Sequence, residues 1–309
     1  MKMDKKLSFS DKMSDIKRRA RKNRIAYVLI APFFTLFFLF TVIPVFMSLF
    51  YSLTYYNMLQ EPSFVGVSNY TRLLFSDDTF LIAIKNTMVF AVITGPMGYI
   101  MSFLIAWFIN ELSPKVRAVF VLMFYAPSIS GNAYLIWKLL FSSDSTGLIN
   151  GFLMNMGFIS TPIYWLQNSK YILVILVLVQ LWMSLGTGFL AFVAGLQGVD
   201  PSLYEAGSID GIRNRWQELW YITLPSMKPQ LVFGAVLAVT GAFGVSDISV
   251  NLAGFPSVRY AGHTIVTHLL DYGNIRFEMG YASAIATVLF LITIICNKVI
   301  NAMLKRVGE

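Results

Sequence analysis

The segment YVLIAPFFTLFFLFTVIPVFMSLFY, from Tyr27 to Tyr51, contains no charged side chain. A helix needs about 20 apolar residues to cross a hydrocarbon core of ~30 Å, because all of its backbone polar groups must pair within the segment. The charge-free run continues to Gln60, which is far longer than the apolar part of a signal peptide, and no small-residue cleavage site closes it. The segment therefore predicts a membrane span that remains in the mature protein.

Five similar runs follow along the chain and extend this prediction. They cover residues 86–110, 118–141, 171–196, 229–250 and 279–303. The whole chain is 56% hydrophobic and 13% charged, and its mean hydropathy is +0.64, which is unlike the composition of soluble domains. For residues 25–309 we predict an all-α fold, a polytopic membrane protein with six transmembrane helices.

The distribution of positive charge predicts the orientation. Ten of the 24 Lys and Arg residues lie between Lys2 and Arg24, so residues 1–24 are expected to form a basic cytoplasmic segment. With six spans, the inner segments also hold Lys115, Arg117, Arg213, Arg215, Lys228, Lys298, Lys305 and Arg306. The outer loops hold only Arg72, Lys85, Lys170, Arg259 and Arg276. This asymmetry predicts that both termini are cytoplasmic.

The charge-free stretch at residues 145–169 is a candidate for a seventh span. Gly147, Gly151, Gly157 and Pro162 interrupt it and weaken a continuous helix. A span here would also move every later loop to the other side of the membrane and remove the charge asymmetry. We expect this stretch to lie at or near the outer surface.

The composition also bears on other classes of function. The net charge of +8 is concentrated at the N-terminus, so we expect no nucleic-acid partner. Cys296 is the only cysteine, which excludes an intrachain disulfide and a cysteine metal cluster. His263 and His268 lie five residues apart near Asp271, a spacing that does not match a helical ligand pair, so we expect a surface role and no metal site. No catalytic centre and no Gly-rich phosphate loop with a following Lys is present, so no cofactor is expected on this chain.

The predicted inner loop between the fourth and fifth spans reads GVDPSLYEAGSIDGIRNRWQELWYITLPSMKPQ, from Gly198 to Gln230. Asp200 and Pro201 form a helix-starting pair, which predicts a short helix that ends at Asp210. Gly211 is placed to take a left-handed conformation after that helix. Asn214 is then placed to cap a second helix that runs to about residue 222, and Pro225 is expected to stop it.

This loop is unusually apolar for a segment exposed to the cytoplasm. Its apolar and aromatic residues are Leu203, Tyr204, Ile209, Ile212, Trp216, Leu219, Trp220 and Ile222. Such a surface indicates a protein partner, and a short helix that presents an apolar face suits a groove on that partner. An alternative is that part of the loop, chiefly the second helix, lies against the membrane interface, where Trp and Tyr are favoured.

YEAGSIDG followed by ITLP resembles the EAA motif of ABC importer permeases, which reads Glu-Ala-Ala, three residues, Gly, nine residues, Ile, one residue, Leu-Pro. The matching residues are Glu205, Ala206, Gly211, Ile222, Leu224 and Pro225. The chain departs from the motif twice, since Gly207 replaces the second Ala and ten residues separate Gly211 from Ile222. The second departure leaves open which residues of the second helix share a face, because one extra residue rotates the residues that follow it around the helix axis.

Further stretches are similar to sugar-type permeases of the maltose-transporter kind. They are FVGVSNYTRLL at 64–74, KNT at 85–87, GLIN at 147–150, PIYWL at 162–166 and AGLQGVDPSLYEA at 194–206. After the fifth predicted span, DISVNLAGFP at 247–256 is a shortened and altered version of the family pattern. Together these stretches identify the chain as resembling the permease of a type I, binding-protein-dependent sugar importer.

The resemblance implies a mechanism and a set of partners. Such permeases work as a pair above two cytoplasmic ATPase subunits, which bind ATP and Mg, while an extracellular solute-binding protein delivers the sugar. The chain would then be a transport subunit of a bacterial cell membrane and not an enzyme. Residues 198–228 would form the coupling loop, whose helix docks in a groove of an ATPase subunit. The implied coupling residues are Leu203, Tyr204, Glu205, Ala206, Asp210 and Gly211.

Polar residues within spans are candidates for the substrate pathway. They are Asn132, Tyr134, Gln180, Ser184, Thr187 and Asp247, and the rings of Trp137 and Trp182 are suited to stack on sugar faces. The alternative for each polar residue is a hydrogen bond between helices.

Two competing functions remain, a secondary transporter and a structural or enzymatic membrane protein. The latter would not explain an apolar helix pair in a cytoplasmic loop. A secondary transporter should contain inverted repeats and buried acids for ion coupling, whereas Asp247 is the sole acid within a predicted span. Importers of amino acids, phosphate or metals share the EAA loop, so only the flanking resemblances favour a sugar.

Overall fold

The structure is a computed structural model that describes residues 22–305, with side chains through Met303. Most of the predicted basic N-terminal segment and Arg306 lie outside the described residues, so the position of the termini stays a prediction. The longer helices are α1 (Arg24–Tyr51), α2 (Ser68–Phe75), α3 (Asp78–Asn110), α4 (Pro114–Ile129), α5 (Leu135–Leu140), α6 (Leu148–Asn155), α7 (Ile172–Met183), α8 (Thr187–Gln197), α9 (Pro201–Ile209), α10 (Arg215–Ser226), α11 (Lys228–Phe243), α12 (Ile265–Leu270) and α13 (Met279–Lys305). Two short strands, β1 (Thr54–Tyr55) and β2 (Ser63–Phe64), pair antiparallel with Thr54 opposite Phe64. The predicted all-α class is confirmed.

Within residues 22–305, four helical stretches are long and apolar enough to cross a membrane. They are α1, α3, α7 with α8, and α13; the bent pair of α10 and α11 makes a fifth. The third predicted span, residues 118–141, consists of two pieces, because α4 ends at Ile129 and α5 begins only at Leu135. Ser130, three residues after Pro127, has extended backbone angles that interrupt the helix. The count of six spans therefore stays a prediction.

The second predicted span was expected to begin at residue 86, but α3 begins at Asp78. The expected start followed the charge at Lys85, whereas a single Lys near a helix end reaches the membrane surface without ending the helix. The side chain of Asp77 accepts a hydrogen bond from the Phe80 amide at 2.9 Å and caps the true start. Between residues 145 and 169 only α6 is helical, so the prediction that this stretch lacks a continuous helix is confirmed.

The centre of the bundle forms where α3, α8 and α11 pack together. Phe103, Phe189 and Phe192 are buried in this core, and the Phe192 ring is T-shaped against Phe103 at 5.6 Å. Gly234 on α11 allows the close approach, because a Cβ at this position would lie 2.4 Å from the Phe192 ring. In contrast, the most apolar part of α1 has no residue buried within the bundle.

Candidate functional site

The loop between α8 and α11 has most of the predicted local structure. The Asp200 side chain accepts a hydrogen bond from the Ser202 amide at 3.0 Å and caps α9, with Pro201 in its first turn. Gly211 has a φ of +95°, the left-handed conformation that glycine adopts without steric cost. Asn214 accepts from the Gln217 amide at 2.9 Å and caps α10. These four predictions are confirmed.

The prediction that Pro225 stops the second helix is wrong. The helix α10 continues to Ser226 through a π turn at Leu219–Thr223, which widens the backbone just before the proline. A π turn accommodates one extra residue in a helix, and the loop has one residue more than the EAA pattern between Gly211 and Ile222. The chain bends by 82° only between α10 and α11.

One side of α9 packs on α10. Gly207 is buried there, and a Cβ on it would lie 2.6 Å from Ile222 Cδ1, so α9 and α10 approach each other closely at this position. The Tyr204 hydroxyl lies 3.0 Å from Thr223 Oγ1. Tyr204 therefore anchors α9 to α10, whereas the resemblance implied that it contacts an ATPase subunit.

The other side of α9 is free within the chain. Ile209 is 87% exposed and Leu203 is 44% exposed, and Glu205, Ala206 and Asp210 are exposed as well. We call these five residues the α9 face. Among the described side chains Glu205 makes no ion pair.

The second helix of the loop, α10, is fixed to the bundle at its N-terminal end. Arg215 bonds to Glu111, at the end of α3, at 2.9 Å and to Glu218 at 2.8 Å. The Trp216 ring packs on Trp107 of α3 with centroids 5.2 Å apart. The loop is thus a braced unit, which suits the transmission of a force from α9 to α3 and α11.

A cavity of about 260 Å³ lies between α3, α7, α8 and α11. Three of the predicted pathway residues, Gln180, Ser184 and Thr187, line it. It forms where the helix is interrupted between α7 and α8 and where five glycines keep side chains out of the space. Those glycines are Gly98, Gly186, Gly188, Gly234 and Gly241. We call this space the inner cavity.

The other predicted pathway residues lie elsewhere. Tyr134 is buried, and its hydroxyl donates to Asn132 Oδ1 at 3.2 Å, in the turn between α4 and α5. Asp247 is exposed beyond the end of α11, where its backbone oxygen accepts from Asn251. The structure thus does not bring these three residues to the inner cavity.

Three buried asparagines, which sequence reasoning missed as structural residues, fasten the loops on the side of the bundle opposite α9. Asn69 donates to the Ser52 and Thr54 carbonyls, both at 2.9 Å. Asn86 donates to the carbonyls of Tyr260 and His263, at 2.9 and 3.0 Å. These residues, with Asn150, stand in the stretches FVGVSNYTRLL, KNT and GLIN. The resemblance of these stretches thus reflects loop structure, since each asparagine pairs backbone groups that would otherwise stay unsatisfied.

His263 and His268 are buried, so the expected surface role is wrong. The two rings lie 3.2 Å apart, from Nε2 to Nδ1, and His268 Nε2 lies 3.0 Å from Asp77 Oδ2. The Tyr281 hydroxyl donates to the same Asp77 oxygen at 2.7 Å. No group of three or more metal-binding side chains occurs within residues 22–303. The network joins α3, α12 and α13 at one point.

Two groups of this network have shifted pKa values. Burial, with a smaller effect of the neighbouring His268, lowers the pKa of His263 to about 4. Burial alone would raise the pKa of Asp77, but hydrogen bonds from His268, Tyr281 and the Phe80 amide hold it well below its usual range. The fold therefore favours a neutral His263 and a charged Asp77.

We predict that mild acid destabilises this network. The ordinary pKa of His263 is 6.5, so its contribution to stability is complete above about pH 6.5 and is lost as the pH falls toward 4. The contribution of Asp77 is lost only at lower pH. The melting temperature of the detergent-solubilised protein should fall by several degrees between pH 7 and pH 4.5. The melting temperature of the His263→Phe variant should fall less over the same range. An equal fall in both proteins would contradict this assignment.

Several known proteins are similar to this chain. The arabinooligosaccharides transport system permease protein AraP of Bacillus subtilis (strain 168) is 34% identical over 281 residues, which cover 89% of this chain and 87% of that protein. The lactose transport system permease protein LacF of Rhizobium radiobacter is 29% identical over 280 residues, which cover 88% of this chain and 91% of that protein. No protein-family model matches the chain.

A solved structure supports the fold. It is a bacterial ABC transporter that imports the acidic polysaccharide alginate, and one of its chains aligns over 96% of this chain and 100% of its own length, with a TM-score of 0.76 and 22% identity. The likeness to AraP covers nearly the whole of both proteins. With the apolar helices of the bundle, it assigns a multi-pass transport subunit of the bacterial cell membrane, as predicted, and not an enzyme. The chain belongs to the family of sugar-type, binding-protein-dependent ABC importer permeases.

Proposed function

We propose that this chain forms half of the pathway for a sugar or an oligosaccharide, and that α9 couples this pathway to ATP hydrolysis. The single observation that carries the proposal is the α9 face, in which the exposed apolar side chains of Leu203 and Ile209 stand on a helix that is braced to the bundle. A second permease subunit would complete the pathway. Two ATPase subunits, which hold ATP and Mg, would bind below it, and an extracellular solute-binding protein would deliver the sugar.

The attachment of the loop supports the coupling role. Gly207 and Tyr204 fix α9 to α10, and Arg215 fixes α10 to the end of α3. When the ATPase subunits close, a push on Ile209 would move α10 with α9. Because α10 meets α11 at a sharp bend, this movement would reach α3 and α11, two of the four helices that line the inner cavity. A rigid-body change of this kind switches between two packed arrangements.

The inner cavity supports the pathway role. Its polar side chains are Gln180, Ser184 and Thr187 from α7, α8 and the break between them, and Thr94, Tyr99 and Ser102 from α3, and the rest of its lining is apolar or glycine. A few placed polar groups in an otherwise apolar space are typical of small-molecule sites. Two of the similar proteins are named for arabinooligosaccharides and lactose, and on that basis we propose a sugar as the solute.

A substitution pair tests the pathway. Gln180→Ala removes an amide from the inner cavity, whereas Asn132→Ala removes one outside it. We expect Gln180→Ala to raise the half-saturating sugar concentration for uptake about tenfold, the effect of one lost hydrogen bond to a buried polar group. Asn132→Ala should change it less than about twofold.

The measurement is ATP-driven uptake in vesicles that contain the complete importer. Equal effects of the two substitutions would contradict the assignment of the inner cavity. Uptake by this chain alone, driven by an ion gradient and independent of ATP, would instead favour a secondary transporter.

A further inference from the structure

A second cavity lies beside the end of α5. Its volume is about 510 Å³, and it opens between residues 138–144, residues 166–167 and the π turn Ser249–Ala253. The apolar stretch Ile172–Gln197 lies between the loop that carries residues 166–167 and the coupling loop. The two loops are therefore expected on opposite sides of the membrane, which places the cavity on the outer side. We propose that this outer cavity is a second sugar subsite, which binds a neutral sugar unit while the next units of the same oligosaccharide reach the inner cavity. The inference rests on the proposed function.

The outer cavity offers unpaired polar groups. Within the described residues the side chains of Lys138, Ser143 and Gln167, all of which line the cavity, make no hydrogen bond or ion pair. Asn251 donates from its amide nitrogen to the Asp247 carbonyl at 2.8 Å, which leaves its amide oxygen free. Donors and acceptors that converge on one space without partners suit a ligand that carries many hydroxyl groups.

The rim of the outer cavity is fixed before any ligand binds. Asn150 is fully buried and donates to the carbonyls of Ser142 and Asp144, at 3.1 and 3.3 Å. Its oxygen accepts from the Ile163 amide at 3.1 Å and from Trp165 Nε1 at 2.8 Å. Because the rim is already ordered, a ligand loses less free energy in ordering it.

A row of aromatic rings extends from the outer cavity to α7, a helix that borders the inner cavity. Phe141 lines the outer cavity and stacks on Trp137 at 6.0 Å with an interplanar angle of 14°. Trp137 meets Trp182 edge to face at 5.6 Å, and Trp182 precedes Met183, which lines the inner cavity. The Trp137 indole N–H is buried without a partner among the described residues. Flat rings and an unused donor along one line suit the apolar faces and hydroxyls of successive sugar units.

The charges around the outer cavity indicate a neutral sugar. Lys138 and Asp144 are its only charged lining residues, and their charges cancel. A site for a sugar acid needs an excess of positive charge, since an unpaired buried carboxylate is costly. This outer cavity has no such excess.

The test measures uptake of neutral oligosaccharides of two and of four units by the complete importer, with its binding protein, in vesicles. The variant is the double substitution Gln167→Ala with Asn251→Ala. The control is Gln60→Ala, an exposed residue in a loop predicted on the same side of the membrane. In the double variant we expect four-unit uptake to fall about tenfold and two-unit uptake to change less than about twofold.

Each other outcome overturns the inference. Equal losses for both lengths would show a structural defect, and no loss for either length would show that the outer cavity binds no sugar. Wild-type uptake of a four-unit sugar acid that matches uptake of the neutral sugar would refute the predicted ligand class. A wild-type importer that transports none of these sugars would refute the proposed function itself, which is a distinct result.

Discussion

Replacing Ile209 by aspartate is expected to abolish sugar-stimulated ATP hydrolysis and to lower ATP-driven uptake more than tenfold. Ile209 is the most exposed apolar residue of the α9 face. If this face docks in an apolar groove, a carboxylate there loses its hydration without gaining a partner, and the loss exceeds the ~1.4 kcal/mol that a tenfold change in binding requires. The measurement compares uptake and ATPase rates of the reconstituted importer.

The matched control for this prediction is Ile209→Leu, which keeps the apolar surface at the same position. It should retain uptake within about twofold, because swaps between apolar side chains of similar volume are tolerated. Normal insertion of both variants, checked by the amount of chain in the membrane, separates a docking defect from a folding defect. Coupled transport at the wild-type rate in Ile209→Asp would show that the α9 face does not dock.

The substitution Gly211→Pro should have an effect of similar size for a different reason. Proline fixes φ near −65°, whereas Gly211 has a φ of +95°, so the turn after α9 cannot keep its course. The side-chain space is open, since a Cβ at Gly211 meets no atom within 4 Å, and the effect is therefore one of backbone angle alone. We expect uptake to fall at least about tenfold because α9 loses its orientation relative to α10.

Gly211→Asn is the control, because asparagine tolerates the left-handed region far better than other residues that carry a Cβ. It should retain most of the uptake. Vesicles of both variants are compared for uptake at equal amounts of inserted chain. If the proline and asparagine variants transport equally well, the orientation of α9 has no role in coupling.

Local signals in the sequence predicted the helix caps and the first and last membrane spans. The run from Tyr27 to Tyr51 lies within α1, and the run at 279–303 lies within α13, because run length and missing charge act over adjacent residues. The caps at Asp200 and Asn214 depend on partners two or three residues away. Such short-range interactions are readable from the chain alone.

Features that depend on distant partners were not predictable in this way. Asp77 and His268 are 191 residues apart and still form one buried pair, so nothing near His268 marks it as buried. The π turn before Pro225 carries Ile222 and Thr223, which contact α9, and the sequence around them does not mark these contacts. The inner cavity joins Gln180, Ser184 and Thr187, but the same polar-residue signal also selected Asn132, which the fold places elsewhere.

The most direct test of the coupling helix is the accessibility of a cysteine at position 209 in membrane vesicles. The natural cysteine, Cys296, is first replaced in a Cys296→Ser background, and Ile209→Cys then provides a single thiol on the α9 face. A membrane-impermeant maleimide reagent is applied from the cytoplasmic side, with and without co-expressed ATPase subunits. If α9 docks on an ATPase subunit, we expect fast labelling of the permease without the ATPases and strong protection in the complete importer. Equal labelling in both would contradict it.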